Sequence, residues 1–181
     1  MNWLREIDLN LLRAINQGWN CEFANNVFWA FSTLGVGIVQ LAGLVPVALI
    51  KSARLLIFQL CVCWAVSGIA SQLFKSVTVR LRPTAFEGTI PTPGETIFHS
   101  SFPSGHSCTA FGIAMGFSLF YCGKNRTLWS VCAIAWAALV GISRIYRGVH
   151  WPTDVLAGAL IGCSSSFLTA AVFAFAKERR R

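Results

Sequence analysis

Three short segments of the sequence contain side chains of the kinds that bind phosphate or transfer protons. These side chains are Lys75, Arg82, Ser104, His106, Arg144, His150 and Asp154. Ammonium and guanidinium groups bind phosphate oxygens, and a guanidinium can do so with two parallel hydrogen bonds. Imidazole gains and loses its proton near neutral pH. The combination is typical of a site that handles a phosphoryl group.

The segment SFPSGHS, residues 101–107, has the residue types of a helix start that faces an anion. Pro103 and Ser104 favour a helix start, with Ser104 as N-cap, and the free N–H groups of that first turn attract negative charge. Gly105 lets a ligand approach the backbone closely. His106 then falls in the first turn, where it could donate a proton. An ordinary helix start without a ligand is the alternative interpretation.

The segment HWPTD, residues 150–154, places a histidine four residues before an aspartate. Pro152 between them suits a first helical turn, and the spacing predicts that His150 and Asp154 share one face. A carboxylate bonded to one imidazole nitrogen fixes the tautomer and leaves the other nitrogen as a base or nucleophile. Because no acidic cluster suited to magnesium is present, we expect no metal or other cofactor, with lysine and arginine stabilising the charge instead.

The elements that must position these residues are predicted to be membrane helices. The chain is 55% hydrophobic and only 12% charged, which is far from the composition of soluble proteins. Five uncharged stretches are close to or above the length that spans a bilayer, namely 23–50, 55–74, 107–123, 127–143 and 155–176. We predict one all-α, integral-membrane domain over residues 1–181, a polytopic bundle of about five transmembrane helices.

Residues 1–22 are predicted to form an amphipathic helix at the membrane surface. Leu4, Ile7, Leu11, Leu12 and Ile15 recur at helical spacing, with charged residues on the other face. A water-facing cap on the bundle is the alternative.

The basic residues predict which side of the membrane the site faces. They occupy two connections and the tail, as Lys51, Arg54, Lys124, Arg126, Lys177, Arg179, Arg180 and Arg181. The positive-inside rule makes that face cytoplasmic, so the net charge of +8 needs no nucleic-acid partner. We therefore expect a multi-pass protein of the cytoplasmic (inner) membrane whose site residues, at the opposite span ends, face outward. Arg80 and Arg147 are expected to reach for the headgroups, and His99 to be a solvated loop residue.

KSVTVRLRP (75–83), PSGH (103–106) and SRIYRGVHWPTD (143–154) resemble the three signature motifs of the type 2 phosphatidic acid phosphatase superfamily, in order and with that family's internal spacings. The resemblance covers residues 75–154 and implies a metal-independent lipid phosphatase. It implies that His150 is the nucleophile that forms a phosphohistidine, that Asp154 orients it, and that His106 protonates the leaving group. The residues implied to bind phosphate oxygens are Lys75, Arg82, Ser104, Gly105 and Arg144.

The expected partners are the bilayer and a phosphorylated membrane lipid, and the sequence does not specify the oligomeric state. Undecaprenyl diphosphate, converted to undecaprenyl phosphate, is the first choice, since its recycling is needed on the outer face. Phosphatidylglycerophosphate, phosphatidic acid, a lipid A phosphate and a lipid phosphotransferase activity stay open. Vanadium haloperoxidases share these motifs but are soluble and larger. A degenerate lipid-binding scaffold would be favoured by loss of His106, His150 or Asp154, and all three are present.

Overall fold

The computed structural model describes residues 2–85, 89–90 and 100–180, and in these ranges the chain is helical. Its seven α-helices are α1 (Asn2–Asn16), α2 (Glu22–Leu34), α3 (Gly37–Ala48), α4 (Arg54–Val77), α5 (Gly105–Phe120), α6 (Arg126–Tyr146) and α7 (Pro152–Glu178). Short 3-10 turns cover Lys51–Ala53 and Pro83–Ala85. The predicted all-α bundle is confirmed. His99, predicted to be a solvated loop residue, lies outside the described residues.

The structure confirms a multi-pass arrangement, with fewer candidate spans than the sequence predicts. Within the described ranges, three helices are long and apolar enough to cross a membrane, namely Lys51–Val77, Arg126–Tyr146 and Pro152–Glu178. A fourth candidate is the pair α2 and α3, which is bent by 72°. The helix α5 has 16 residues, slightly below the roughly 17 to 25 that usually span a bilayer.

The bend explains why the uncharged stretch 23–50 is not one straight helix. Gly35 ends α2, and Val36 takes up extended φ and ψ angles of −65° and 128° before α3 begins. Glycine has low helix propensity, and the break leaves carbonyl groups without helical partners. The buried Gln40 side chain donates to the Gly35 carbonyl at 2.9 Å. This hydrogen bond gives one carbonyl at the break a partner and so stabilises the bend.

The helix α5 lies against α4, α6 and α7 and forms the centre of the bundle. Small residues allow this close approach, as their small-xxx-small spacing predicts. A Cβ atom on Gly162 would lie 2.3 Å from the Cys108 carbonyl oxygen, and one on Gly112 would lie 2.2 Å from Ser67 Oγ. Ser166 Oγ adds a hydrogen bond to the Gly112 carbonyl at 2.6 Å. Backbone contact of this kind fixes the helix ends relative to one another.

The first helix lies across the bundle end where α6 finishes and α7 starts. Leu12 is buried with Ile145 and Trp151, and the Asn16 side chain donates to the Tyr146 carbonyl at 2.7 Å. Its exposed residues include the large apolar side chains of Trp3, Leu4, Ile7 and Leu11. Among its charged residues, Asp8 is buried, with only 2% of it exposed.

Candidate active site

The segment after α4 brings Lys75 and Arg82 to one backbone carbonyl. Lys75 Nζ donates to the Ser100 carbonyl at 2.9 Å, and Arg82 Nη2 donates to the same oxygen at 3.4 Å. Arg82 Nη1 donates to the Val149 carbonyl at 2.7 Å and lies 3.2 Å from His150 Nε2. The first and third motifs therefore meet at the imidazole of His150.

The start of α5 has the predicted cap. Ser104 is the N-cap, and its Oγ accepts from the Ser107 N–H at 3.4 Å and from the Ser107 hydroxyl at 2.9 Å. The Ser104 N–H donates to the Asp154 carbonyl at 3.0 Å, which ties the second motif to the third. Gly105 and His106 open the helix, so His106 is in the first turn as predicted.

His106 lies between the kink after α2 and an open cavity. A Cβ atom on Gly35 would come within 3.0 Å of His106 Cδ2, so glycine there makes room for the imidazole ring. Within the described part of the chain, His106 Nε2 is buried without a hydrogen-bond partner. The ring is within Coulombic range of Arg144, His150 and Lys75. A buried polar atom without a partner points to a group supplied by a ligand.

The cavity beside His106 has a volume of about 830 Å³ and is mostly apolar. Its walls are formed by α4 residues, by the start of α3 and by the start of α5; they include Gly37, Trp64, Gly68, Ile69, Leu73, Gly105 and His106. Ile69 and Leu73 are 60% and 64% exposed and lie on the outer surface of a candidate membrane span. The cavity thus joins the His106 ring to the apolar surface of the bundle.

His150 and Asp154 meet through a helix cap rather than along one helix face. His150 precedes the N-cap residue Trp151, and Asp154 is the third residue of α7. Asp154 Oδ2 accepts from the Trp151 N–H at 3.0 Å and lies 3.6 Å from His150 Nδ1. Because guanidinium only donates, the contact with Arg82 makes His150 Nε2 an acceptor. This assigns the imidazole proton to Nδ1, facing the carboxylate.

His150 is buried, with 4% of its side chain exposed. Its pKa is lowered to about 4, mainly by burial and in part by the positive charges of Arg144 and Arg82, while Asp154 opposes the shift. The imidazole is therefore neutral at pH 7, with its unprotonated Nε2 next to the Arg82 guanidinium. Such a nitrogen can act as a base or as a nucleophile.

Arg144 reaches the same place from the end of α6. It is 3% exposed and donates to the hydroxyl of Ser32 in α2. Its backbone carbonyl accepts from the N–H groups of Val149 and His150 at 3.2 and 3.3 Å. Every predicted site residue thus lies at one end of the bundle, linked by these contacts or lining the adjoining cavity.

Four residues at this end were not expected to contribute. Arg80 and Arg147 were expected to reach for headgroups, but Arg147 is 5% exposed and Arg80 forms ion pairs with Asp154 and Asp8. Ser32 is the other unforeseen partner. No local pattern signals Asp8 or Ser32, because each contacts a residue more than 70 positions away.

The match to known proteins spans most of the chain, since residues 56–178 match the PAP2 superfamily. The chain belongs to that superfamily. A relative named bacitracin transport permease protein BcrC, from Bacillus licheniformis, is 34% identical over 167 residues, covering 89% of this chain and 78% of the relative. Because its PAP2 relatives also include a lipid A 1-phosphatase and an undecaprenyl-diphosphatase, this PAP2 protein is a membrane lipid phosphatase.

Other relatives and one solved structure extend the comparison. A lipid A 1-phosphatase from Rhizobium johnstonii is 38% identical, over 60% of this chain and 44% of the relative. An undecaprenyl-diphosphatase from Sulfolobus acidocaldarius is 34% identical, over 66% of this chain and 56% of the relative. The crystal structure of a transmembrane PAP2-type phosphatidylglycerolphosphate phosphatase from Bacillus subtilis superposes with a TM-score of 0.77 and 25% identity, covering 96% of this chain and 88% of that one.

The protonation of His150 can be measured directly, because the chain has three histidines. We expect nitrogen-15 NMR of protein in micelles to show neutral His150, with its proton on Nδ1, from pH 7 down to about pH 5, because burial lowers its pKa to about 4. His150→Gln and His106→Gln assign the resonances. An imidazole with the ordinary pKa of about 6.5 would be almost fully protonated at pH 5, and such a titration of His150 would contradict the assignment.

Proposed function

We propose that this PAP2 lipid phosphatase hydrolyses undecaprenyl diphosphate to undecaprenyl phosphate on the outer face of the cytoplasmic membrane, without a metal. The observation that carries the proposal is the environment of His150, a neutral imidazole with Nδ1 facing Asp154 and Nε2 facing Arg82. The imidazole nitrogen that would attack phosphorus is therefore on the side of the cationic residues. The same geometry suits any phosphorylated lipid, so the choice of undecaprenyl diphosphate as the substrate depends on further arguments.

In the proposed reaction, His150 Nε2 attacks the terminal phosphorus and the bond to the leaving oxygen breaks. Arg82 transfers its hydrogen bond from Nε2 to a phosphate oxygen, and Lys75, Arg144, the Ser104 hydroxyl and the Gly105 N–H neutralise or bind the others. His106 protonates the leaving group. His106 then removes a proton from water, which attacks the phosphohistidine, releasing phosphate and restoring neutral His150.

The cavity beside His106 supports a lipid with its leaving group on that side. Its apolar walls open toward Ile69 and Leu73 on the outer surface of α4, where a hydrocarbon chain can enter from the bilayer. A lipid in this cavity would bring its leaving oxygen next to the unpartnered His106 Nε2. In a diphosphate this is the oxygen between the two phosphates, and in a monophosphate it is the ester oxygen of the lipid. His106 is accordingly placed to be the acid for the departing lipid.

Undecaprenyl diphosphate is preferred because a related protein is an undecaprenyl-diphosphatase and because the proposed site faces the side where that lipid is recycled. The runner-up substrates are a lipid A phosphate, which fits the name of another relative, and phosphatidylglycerophosphate, which fits the matched crystal structure. Phosphatidic acid follows them. Transfer of the phosphoryl group to a second lipid instead of water uses the same phosphohistidine.

The outward orientation is supported by where the charges lie. Arg54 begins α4, and Lys51 begins the 3-10 turn before it. Arg126 begins α6, and Lys124 precedes it, so all four lie at the helix ends opposite the site. With α5 as a short central crossing and α2 and α3 as one bent crossing, the chain crosses the membrane five times. The positive-inside rule then places the site outside.

Two exposed cysteines offer a matched test of this orientation. Cys21 precedes α2 near the site end, and Cys122 follows α5 near Lys124. In intact cells, a variant that retains only Cys21 should react with a membrane-impermeant maleimide, and one that retains only Cys122 should react only after the membrane is permeabilised. Labelling of Cys122 but not Cys21 in intact cells would reverse the proposed topology.

The roles of the two histidines can be separated by changing the substrate. We expect His150→Ala to abolish turnover of every lipid, because no phosphohistidine can form. A lipid alkoxide, whose conjugate acid has a pKa near the roughly 16 of water, needs the proton from His106. A departing phosphate ester, with a second pKa of about 6, can leave with little help. His106→Ala should therefore reduce kcat on phosphatidic acid by roughly 100-fold to 10,000-fold and on undecaprenyl diphosphate by far less.

Phosphate release by both variants from both lipids, with wild-type protein as the control, decides between the roles. Equal losses for His106→Ala on the two lipids would refute its assignment as the acid for the leaving group. Turnover remaining in His150→Ala would rule out the covalent mechanism.

A further inference from the structure

An ion cluster with two buried carboxylates connects the first helix to the carboxylate that faces His150. The Arg80 guanidinium donates through Nη1 to Asp154 Oδ1 and through Nη2 to Asp8 Oδ2, each at 2.6 Å. The Asp8 and Asp154 side chains are 3% and 0% exposed. A guanidinium held by carboxylates on two of its nitrogens has little freedom to rotate. The position of Asp154 Oδ1 is therefore fixed from α1.

Thr153 closes the cluster at the start of α7. Its N–H donates to Asp8 Oδ1 at 2.9 Å, its hydroxyl donates to Asp8 Oδ2 at 2.6 Å, and the same hydroxyl accepts from Arg80 at 2.8 Å. The Thr153 N–H is one of the first amides of the helix, which have no partner within it. Asp8, which lies on α1, therefore caps the start of α7 at Thr153, the residue directly before Asp154.

The cluster divides the two oxygens of Asp154 between two partners. Oδ1 is held by Arg80, which leaves Oδ2 to accept from the Trp151 N–H and to face His150 Nδ1. Rotation of the carboxyl group would break these contacts together. The orientation of the imidazole proton thus depends on Arg80, to which the motif resemblance assigns no role, and through Arg80 on Asp8 of α1.

We infer that Arg80 and Asp8 are positioning residues for the pair His150 and Asp154, an inference that rests on the proposed role of His150 as nucleophile. Arg80 fixes the carboxylate, and Asp8 holds Arg80. One guanidinium shared by two carboxylates leaves a net negative charge beside the imidazole. That charge stabilises His150 when its Nε2 bonds to phosphorus and the ring becomes cationic, as a buried carboxylate does for a catalytic imidazolium.

Replacing Arg80 with alanine removes both ion pairs and leaves the three phosphate-facing cations in place. We expect kcat to fall by roughly 10-fold to 100-fold, the range typical for loss of an outer orienting partner, while KM stays nearly unchanged. The control is Arg13→Ala, because Arg13 is an exposed arginine of α1. Its kcat and KM should equal those of the wild-type protein, measured as phosphate release per folded molecule.

Chemical rescue distinguishes positioning from simple support of the fold. Arg80 is 32% exposed and lines an open cavity of about 590 Å³ with Asp8, Val79, Trp151 and Thr153, so a small guanidinium can reach the vacated place. Methylguanidinium should restore part of the kcat of Arg80→Ala and leave Arg13→Ala unchanged. Tetramethylammonium at equal concentration should restore nothing. Equal effects of the two cations on Arg80→Ala would overturn the inference.

Asp8→Asn provides a second, nearly isosteric test in case Arg80→Ala folds poorly. Its amide oxygen can still accept from the Thr153 N–H, but Arg80 then pairs with Asp154 alone. We expect a smaller fall in kcat, not rescued by methylguanidinium, with Glu6→Gln on the exposed part of α1 as the unaffected control. Wild-type kcat per folded molecule in both Asp8→Asn and Arg80→Ala would overturn the inference.

These outcomes differ from failure of the proposed function. If wild-type protein releases phosphate from none of the four lipids, the proposed function fails, and the nitrogen-15 resonances of His150 still test positioning. Arg80→Ala should then shift those resonances, and Arg13→Ala should not. An unchanged His150 spectrum in Arg80→Ala would overturn positioning even if the enzyme is fully active.

Discussion

A carboxylate buried at the first turn of α7 constrains the arrangement of the whole site. Removing Asp154 from water is costly unless donors and cations surround it. The structure supplies the Trp151 N–H, the Arg80 guanidinium and the Nδ1 side of the His150 imidazole. Trp151 and His150 lie in the connection before α7, and Arg80 lies in the segment after α4 and is itself paired with Asp8 of the first helix. The requirement for pairing therefore determines how these three parts of the chain meet.

The helices can meet there only because small residues lie where α5 contacts its neighbours. Gly112 and Gly162 let α5 touch its neighbours through backbone atoms, and a bulkier residue at either place would push a helix outward. The ends of α4 and α6 and the starts of α5 and α7 then converge within hydrogen-bonding distance of one another. As a result, the Arg82 guanidinium contacts Nε2 of the neutral His150 imidazole, and the positive charge of Arg144 also acts on that ring.

The sequence predicted those features that depend on neighbours along the chain. The cap at Ser104, the proline at the start of α7 and the clustering of motif residues at span ends all follow from local spacing, and the structure agrees. The sequence could not predict contacts between distant segments. From the sequence, Asp8 is one of several charged residues on a predicted amphipathic helix. In the structure it pairs with Arg80, 72 residues away. The bend at Gly35 was also missed, because an uncharged stretch does not reveal where its backbone breaks.

The central claim is that a phosphoryl group passes through His150, and chemical trapping tests it most directly. Purified protein would be mixed with lipid radiolabelled at the terminal phosphate, quenched in alkali during the first turnover and mapped by peptide mass spectrometry. We expect an alkali-stable, acid-labile phosphate on the peptide that contains His150, which disappears when unlabelled lipid is added before quenching. Release of phosphate at the full rate with no labelled protein at any time, or label on a different residue, would contradict the mechanism.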